Sequence, residues 1–247
     1  MRYTWRLFRV VLHVIFAFFL LGVRFPFWTQ PQRKRCIQQW SRKLLTILGV
    51  RVTQQGNLPE NITKTGVVVV ANHISWLDIF VINSILPVVF VAKSELNNWP
   101  LFGYIMRAVG TLFINRENKR DALRINEIVH EALQRQEHVA FFPEAKTGTG
   151  ETLQAFKTAL LQPAAVCQAP VLALGLCYCH AQTKHIDLTP AYVGEMSFGT
   201  SLKQILSAPH VHVEVRFPEN GLVSAADRRT LTQQVESIIH NLLFPSR

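Results

Sequence analysis

The chain has 247 residues, enough for one large domain or one domain with an appendage, and 49% of them are hydrophobic, ample for a core. Its net charge of +10 is carried wholly by residues 1–59, where ten Lys or Arg stand without a single Asp or Glu; the remainder balances 16 basic against 16 acidic residues. The four cysteines do not suggest a disulfide framework.

The N-terminal segment is apolar as well as basic. Val10 to Val23 is interrupted only by His13, and Phe25-Pro26-Phe27-Trp28 follows Arg24. Fourteen helical residues rise about 21 Å, short of a hydrocarbon core of about 30 Å. A signal peptide shares the pattern of basic flank and apolar stretch, but no small-residue cleavage site follows and more basic residues do. A second element, from about Gln32 to Leu48, sets Cys36, Trp40, Leu44, Ile47 and Leu48 at helical spacing with its Arg and Lys on the other flank. That is the pattern of an interfacial helix. A nucleic-acid-binding arm predicts polar, solvated surroundings; this one is packed with Phe, Leu and Val, so a bilayer is the expected partner and nucleic acid is not. Basic residues on the arm place it on the cytoplasmic face of the cell membrane.

After Arg51, a polar connection (Gln54 to Thr65) leads to a first strand over Gly66–Ala71. A helix starting near Ser75 runs to about Ile85, where Pro87 ends it. Strands follow over Val88–Ala92 and Thr111–Ile114, separated by a turn at Trp99-Pro100 and a short helix towards Val109. Asn118 to Gln136 carries Ala122, Ile125, Ile128, Val129 and Leu133 on one stripe, a surface helix. Val139–Phe142 is again a strand, Gly148 and Gly150 give a flexible loop, and Leu153 to Ala165 begins as a helix. Val171–Tyr178 and His210–Phe217 are later strands, and Ser224 to Asp227 caps a last helix reaching Leu243. Strands alternating with helices predict an α/β fold: a mixed, mostly parallel sheet flanked by helices, with an N-terminal membrane-attaching helical pair. The expected division is 1–53 for the anchor and 54–247 for the α/β domain.

Within that frame His73 follows a β-branched strand and Asp78 stands five residues on. On one regular helix they would sit about 140° apart and could not meet. Ser75-x-x-Asp78 has the form of a capping box, which starts the helix at Ser75 and leaves His73 in the turn before it. Two readings follow. Asp78 caps the helix and His73 is an ordinary turn residue, or the carboxylate orients an imidazole that takes a proton near neutral pH. Arg116 and Glu144 also follow strands directly, so three polar residues converge at one sheet edge, where open α/β sheets bind ligands. Cys177 and Cys179 share one strand face; with His180 and His185 they resemble a metal cluster, but buried, inert thiols are the preferred reading and no metal is expected. The chain lacks the motifs of zinc proteases, phosphate-binding loops, dinucleotide folds and Gly-x-Ser-x-Gly hydrolases.

Asn72-His73-x-Ser75-x-Leu77-Asp78 resembles the first signature block of the glycerolipid acyltransferases, the family of bacterial 1-acylglycerol-3-phosphate acyltransferases. Gly110-Thr111-Leu112-Phe113-Ile114-Asn115-Arg116 is similar to the second block, Phe142-Pro143-Glu144 to the start of the third, and Ala169-Pro170-Val171-Leu172-Ala173-Leu174 loosely to the fourth. The order matches and the resemblance spans about residues 66–175. The family continues its third block Gly-Thr-Arg; this chain reads Ala145-Lys146-Thr147. Arg grips phosphate with a bidentate fork, whereas Lys offers a point charge on a flexible stem.

The resemblance implies an O-acyltransferase moving an acyl group from a thioester, acyl-CoA or acyl carrier protein, to the free hydroxyl of lysophosphatidate, with no other cofactor. His73 would be general base and Asp78 its partner. Arg116 would bind an anionic group, and Glu144 would hold the acceptor or anchor backbone amides. Lys93 and Lys146 are weaker phosphate candidates. The bland alternatives are a surface ion pair for Arg116, a satisfied turn for Glu144, solvated lysines, and core filler for Trp76, Phe80 and Trp99 rather than an acyl groove. The changed third block keeps a lyso-ornithine or other lyso-aminolipid open as acceptor, and a non-catalytic lipid-binding protein is the alternative of another class.

Overall fold

A computed structural model describes residues 1–63, 65–98, 102–114 and 119–245, apart from the side chains of 61, 63, 93, 102 and 119–123. Seven strands form one sheet: β1 (Val50–Gln55), β2 (Val68–Ala71), β3 (Val89–Lys93), β4 (Leu112–Ile114), β5 (Val139–Phe141), β6 (Val171–Tyr178) and β7 (Val211–Arg216). Their order is β1-β7-β6-β2-β5-β3-β4. Among the described residues every pairing is parallel except β6 with β7. The mixed, mostly parallel sheet expected from the sequence is present.

β2 sits at the centre, paired with β6 on one side and β5 on the other. Val67 to Ala71 are all buried, because a central parallel strand is covered on both faces and needs a continuous apolar run. Its side chains alternate between two cores. Val67, Val69 and Ala71 meet α2 (Gln30–Leu48), α3 (Asp78–Ile85) and α7 (Phe198–Ser207) through Leu44, Leu48, Val81, Ile82, Ile205 and Leu206. Val68 and Val70 meet α5 (Lys119–Gln134), α6 (Gln162–Val166) and α8 (Arg228–Leu243) through Ile125, Val129, Ala164, Leu231 and Val235. Among the described residues the remaining α-helices are α1 (Arg2–Val23) and the short α4 (Phe102–Ala108).

Three expectations change. The N-terminal helix covers 22 residues, not the 14 of its apolar run, because Arg2, Arg6 and Arg9 continue it. At about 33 Å it is long and apolar enough to cross a bilayer. It is nevertheless docked: the Arg6 guanidinium donates to the carbonyls of Leu206, Ala208 and Pro209 at the end of α7, and His13 stacks on Trp40 of α2 at 4.7 Å. Trp5, Phe8, Leu12, Ile15, Phe16 and Phe19 face outward, each about half exposed or more. Second, Val50–Gln55 is a strand paired in register with β7, so the division expected between 53 and 54 falls inside β1. Third, the helix expected at Ser75 begins at Asp78, and Leu153 to Lys157 is not helical.

Candidate active site

β2 ends at Ala71, and Asn72 extends its pairing with side-chain atoms: Nδ2 donates to the Leu176 carbonyl at 2.9 Å, and Oδ1 accepts from the Leu176 amide at 2.7 Å. The chain then turns through His73 to Leu77 before α3. Asp78, at the first position of that helix, reaches back over the turn. Its Oδ2 accepts from His73 Nδ1 at 2.8 Å, Ile74 N at 2.7 Å and Ser75 N at 2.9 Å. The Ser75 amide bonded to Asp78 is one half of the expected capping box, and the Ser75 hydroxyl accepts from Leu77 N at 3.3 Å, so the turn is capped there while regular helix begins at Asp78. The two sequence readings merge, because Asp78 organises the turn and holds the imidazole together.

Asp78 is completely buried, whereas the His73 side chain keeps 19% exposure. Phe142 stacks flat on the imidazole, with ring centroids 3.9 Å apart and planes 5° from parallel. With Nδ1 taken by Asp78 and one face covered by Phe142, Nε2 is the ring nitrogen that Asp78 does not engage.

Glu144 follows β5, the neighbour of β2. Its Oε1 accepts from His73 N at 2.6 Å and its Oε2 from Gln154 N at 3.0 Å. Burial pushes its carboxyl above the ordinary carboxylate range, and the two amide donors oppose that shift. Of the two roles expected for Glu144, anchoring backbone amides is the one its bonds display. The loop after it closes over the same turn: Gly148 N donates to the His73 carbonyl at 2.8 Å, Tyr192 N to that of Ile74 at 2.9 Å, and the Thr147 hydroxyl to that of Tyr192.

Lys146 is exposed in this loop, two residues before Gly148. Lys93 ends β3, next to β5, at the same edge of the sheet, although its side chain is not among those described. Arg116, Asn115 and Trp99 lie outside the described residues. Trp76 donates from Nε1 to the Ser201 hydroxyl at 3.0 Å and packs with Phe80 against the core, as core filler does.

One site residue has no counterpart in the sequence reading. The hydroxyl of Tyr178, at the end of β6, donates to Asp78 Oδ1 at 2.7 Å. The available signal was an aromatic hydroxyl closing an apolar strand, since a buried tyrosine needs a partner for its O–H.

Cys179 is a buried thiol, as preferred, and only the alternative cluster has other members. His180 and His185 are exposed, and Cys179 instead lies with His212 and Glu214, the three ligand atoms within 4.8 Å of one another. That carboxylate is already held by Lys184 and Arg216, and His212 Nε2 meets the Thr53 hydroxyl at 2.9 Å. Burial, with Cys177 and Glu214 alongside, pushes the Cys179 thiol up to about 12.

Residues 49–176, from the start of the sheet to the body of β6, match the Acyltransferase family. The chain belongs to that family. Among curated Acyltransferase relatives, it is 37% identical to the 1-acyl-sn-glycerol-3-phosphate acyltransferase of Neisseria meningitidis serogroup B, over 84% of this chain and 80% of that one. It is 28% identical to the lyso-ornithine lipid O-acyltransferase of Pseudomonas aeruginosa, over 87% and 80%. The crystal structure of the 1-acyl-sn-glycerophosphate acyltransferase PlsC from Thermotoga maritima shares the fold, with a TM-score of 0.62 at 21% identity over 96% of both chains. Within the Acyltransferase fold, the first signature block forms the turn between β2 and α3, and the third forms the loop after β5. The fourth falls on β6 and its approach, the strand that places Tyr178 against Asp78.

Proposed function

We propose that the protein transfers a fatty acyl group from a thioester, on CoA or acyl carrier protein, to the free hydroxyl of 1-acylglycerol-3-phosphate, giving phosphatidate. The observation that carries the chemistry is the buried Asp78 bonded to His73 Nδ1, with Nε2 left at the carboxyl end of the central strand. Nε2 removes the acceptor's hydroxyl proton as that oxygen attacks the thioester carbonyl. The tetrahedral intermediate then collapses by breaking the carbon–sulfur bond, and the departing thiolate takes the proton back from the imidazolium. Asp78 holds the tautomer and stabilises the imidazolium; such base catalysis is worth about 10²–10⁴-fold. Direct transfer needs no enzyme nucleophile and no cofactor beyond the thioester.

Both substrates carry a long acyl chain, and the molecule has apolar surfaces to match. A mostly apolar cleft of about 630 Å³, lined by Thr149 of the loop after β5 and by Leu188, Ala191, Val193, Met196 and Ala208, lies apart from the His73 side chain, which is not in its lining. The outward aromatic stripe of α1, flanked by basic residues, supports attachment to an anionic bilayer at the cytoplasmic face, each basic residue near the surface adding about 1 kcal/mol. Lys93, Lys146 and Arg116 are the cations assigned to the acceptor's phosphate.

Lysophosphatidate is favoured as acceptor because the Neisseria relative named for it is more similar than the one named for lyso-ornithine lipid. A lyso-aminolipid is the second reading, supported by Ala145-Lys146-Thr147 where Gly-Thr-Arg is usual in the family. The test is a panel of lysolipid acceptors with acyl-CoA and acyl carrier protein donors, followed by mass spectrometry of products. Phosphatidate is expected as the main product. Acylated ornithine lipid alone would overturn the acceptor assignment, and lysolipid binding without any transfer would favour a non-catalytic lipid-binding protein.

A further inference from the structure

The two oxygens of Asp78 are tethered to different parts of the fold. Oδ2 serves its own turn, whereas Oδ1 is held by Tyr178, 100 residues away on the other neighbour of β2. We infer that Tyr178 is a positioning residue for acyl transfer, fixing the Asp78 carboxylate so that the His73 imidazole keeps Nε2 aimed at the acceptor hydroxyl. This rests on the acyl-transfer reading above.

The tyrosine is fully buried at the end of β6, so the packing around it holds its hydroxyl against the carboxylate. Burial and the adjacent Asp78 hold its phenol well above the ordinary tyrosine value, which keeps it a donor throughout the working range. Among the described residues, the ionisable groups that interact with the His73–Asp78 pair include Glu144 from the loop after β5 and Tyr178 from β6. A donor on Oδ1 also draws negative charge away from Oδ2. Asp78 therefore supports the protonated imidazole less strongly than it would without that donor. Partners of this kind around an oriented histidine tune both its direction and its basicity.

Two substitutions move the system in opposite directions. Tyr178→Phe removes the donor; kcat is expected to fall about tenfold, with the KM of both substrates within about twofold. The acid limb of the kcat/KM profile should move to higher pH. Tyr178→3-fluorotyrosine keeps the shape with a stronger donor and should move that limb to lower pH. The same shifts are read without turnover as the midpoint of the His73 nitrogen-15 imidazole titration. Opposite shifts in the two proteins establish the positioning role. An unmoved limb and midpoint in both, whatever happens to Tm, would show the hydroxyl to be structural only and overturn it. If the Phe variant does not fold, the fluorotyrosine protein decides alone. A wild-type enzyme without turnover would sink the acyl-transfer reading, while the imidazole midpoints still decide the case of Tyr178.

Discussion

Ala145 has a φ of +65°, in the left-handed region where a β-carbon crowds the backbone. It stands directly after Glu144, whose carboxylate anchors the His73 amide, and the turn must bend there to bring Gly148 back to the His73 carbonyl. A left-handed non-glycine residue costs on the order of 1–3 kcal/mol. Glycine would relieve that strain, while raising the entropy of the unfolded chain by about 0.4–1 kcal/mol. Ala145→Gly is therefore expected to raise Tm by a few degrees, about 2–4 °C per kcal/mol for a chain of this size, with kcat retained. A lower Tm by differential scanning calorimetry would show that the alanine is not strained. His73 and Asp78 were singled out because a strand-end His and a Ser-x-x-Asp turn lie within six residues and resemble a family motif; local spacing left two readings open, and the contact between them is what the structure adds. Tyr178 was not singled out, because nothing local separates a strand-end tyrosine that reaches a carboxylate from one that fills a core.

At the scale of elements, α1 joins the membrane argument to the fold. Its inner side is fixed by Arg6 on the end of α7 and by His13 on Trp40, while its outer side offers a stripe of aromatic and aliphatic groups. Phe8 and Phe16 stand on that stripe, 53% and 52% exposed, so charging them removes bilayer contact without opening a core. The double variant Phe8→Glu, Phe16→Glu should remain in the supernatant when wild type co-sediments with anionic vesicles, at unchanged Tm. Equal co-sedimentation would remove α1 from the attachment surface. The extent of this helix was underread because charge was taken as its limit; arginine carries a long apolar stem and continues a helix while its head finds carbonyls. β1 was missed because an edge strand of Val-Arg-Val-Thr-Gln-Gln shows only two apolar residues. α7 was missed although Phe198, Leu202, Ile205 and Leu206 carry its period.

Across the whole molecule, the site depends on which strands are neighbours. Tyr178, His73, Glu144 and Lys93 stand at the carboxyl ends of β6, β2, β5 and β3, which are consecutive in the sheet but not in the chain. The α/β class and most strands could be read from periodicity. The sheet order could not, since periodicity says which residues are buried and not what they are buried against. The order brings three separate segments to the His73 turn, where the imidazole keeps 19% of its side chain exposed. The most direct test is the acyl-transfer rate of His73→Ala at matched protein and vesicle concentrations. The account predicts a loss of at least about 10²-fold, with Tm and vesicle binding as in wild type; a wild-type rate in that variant would contradict it.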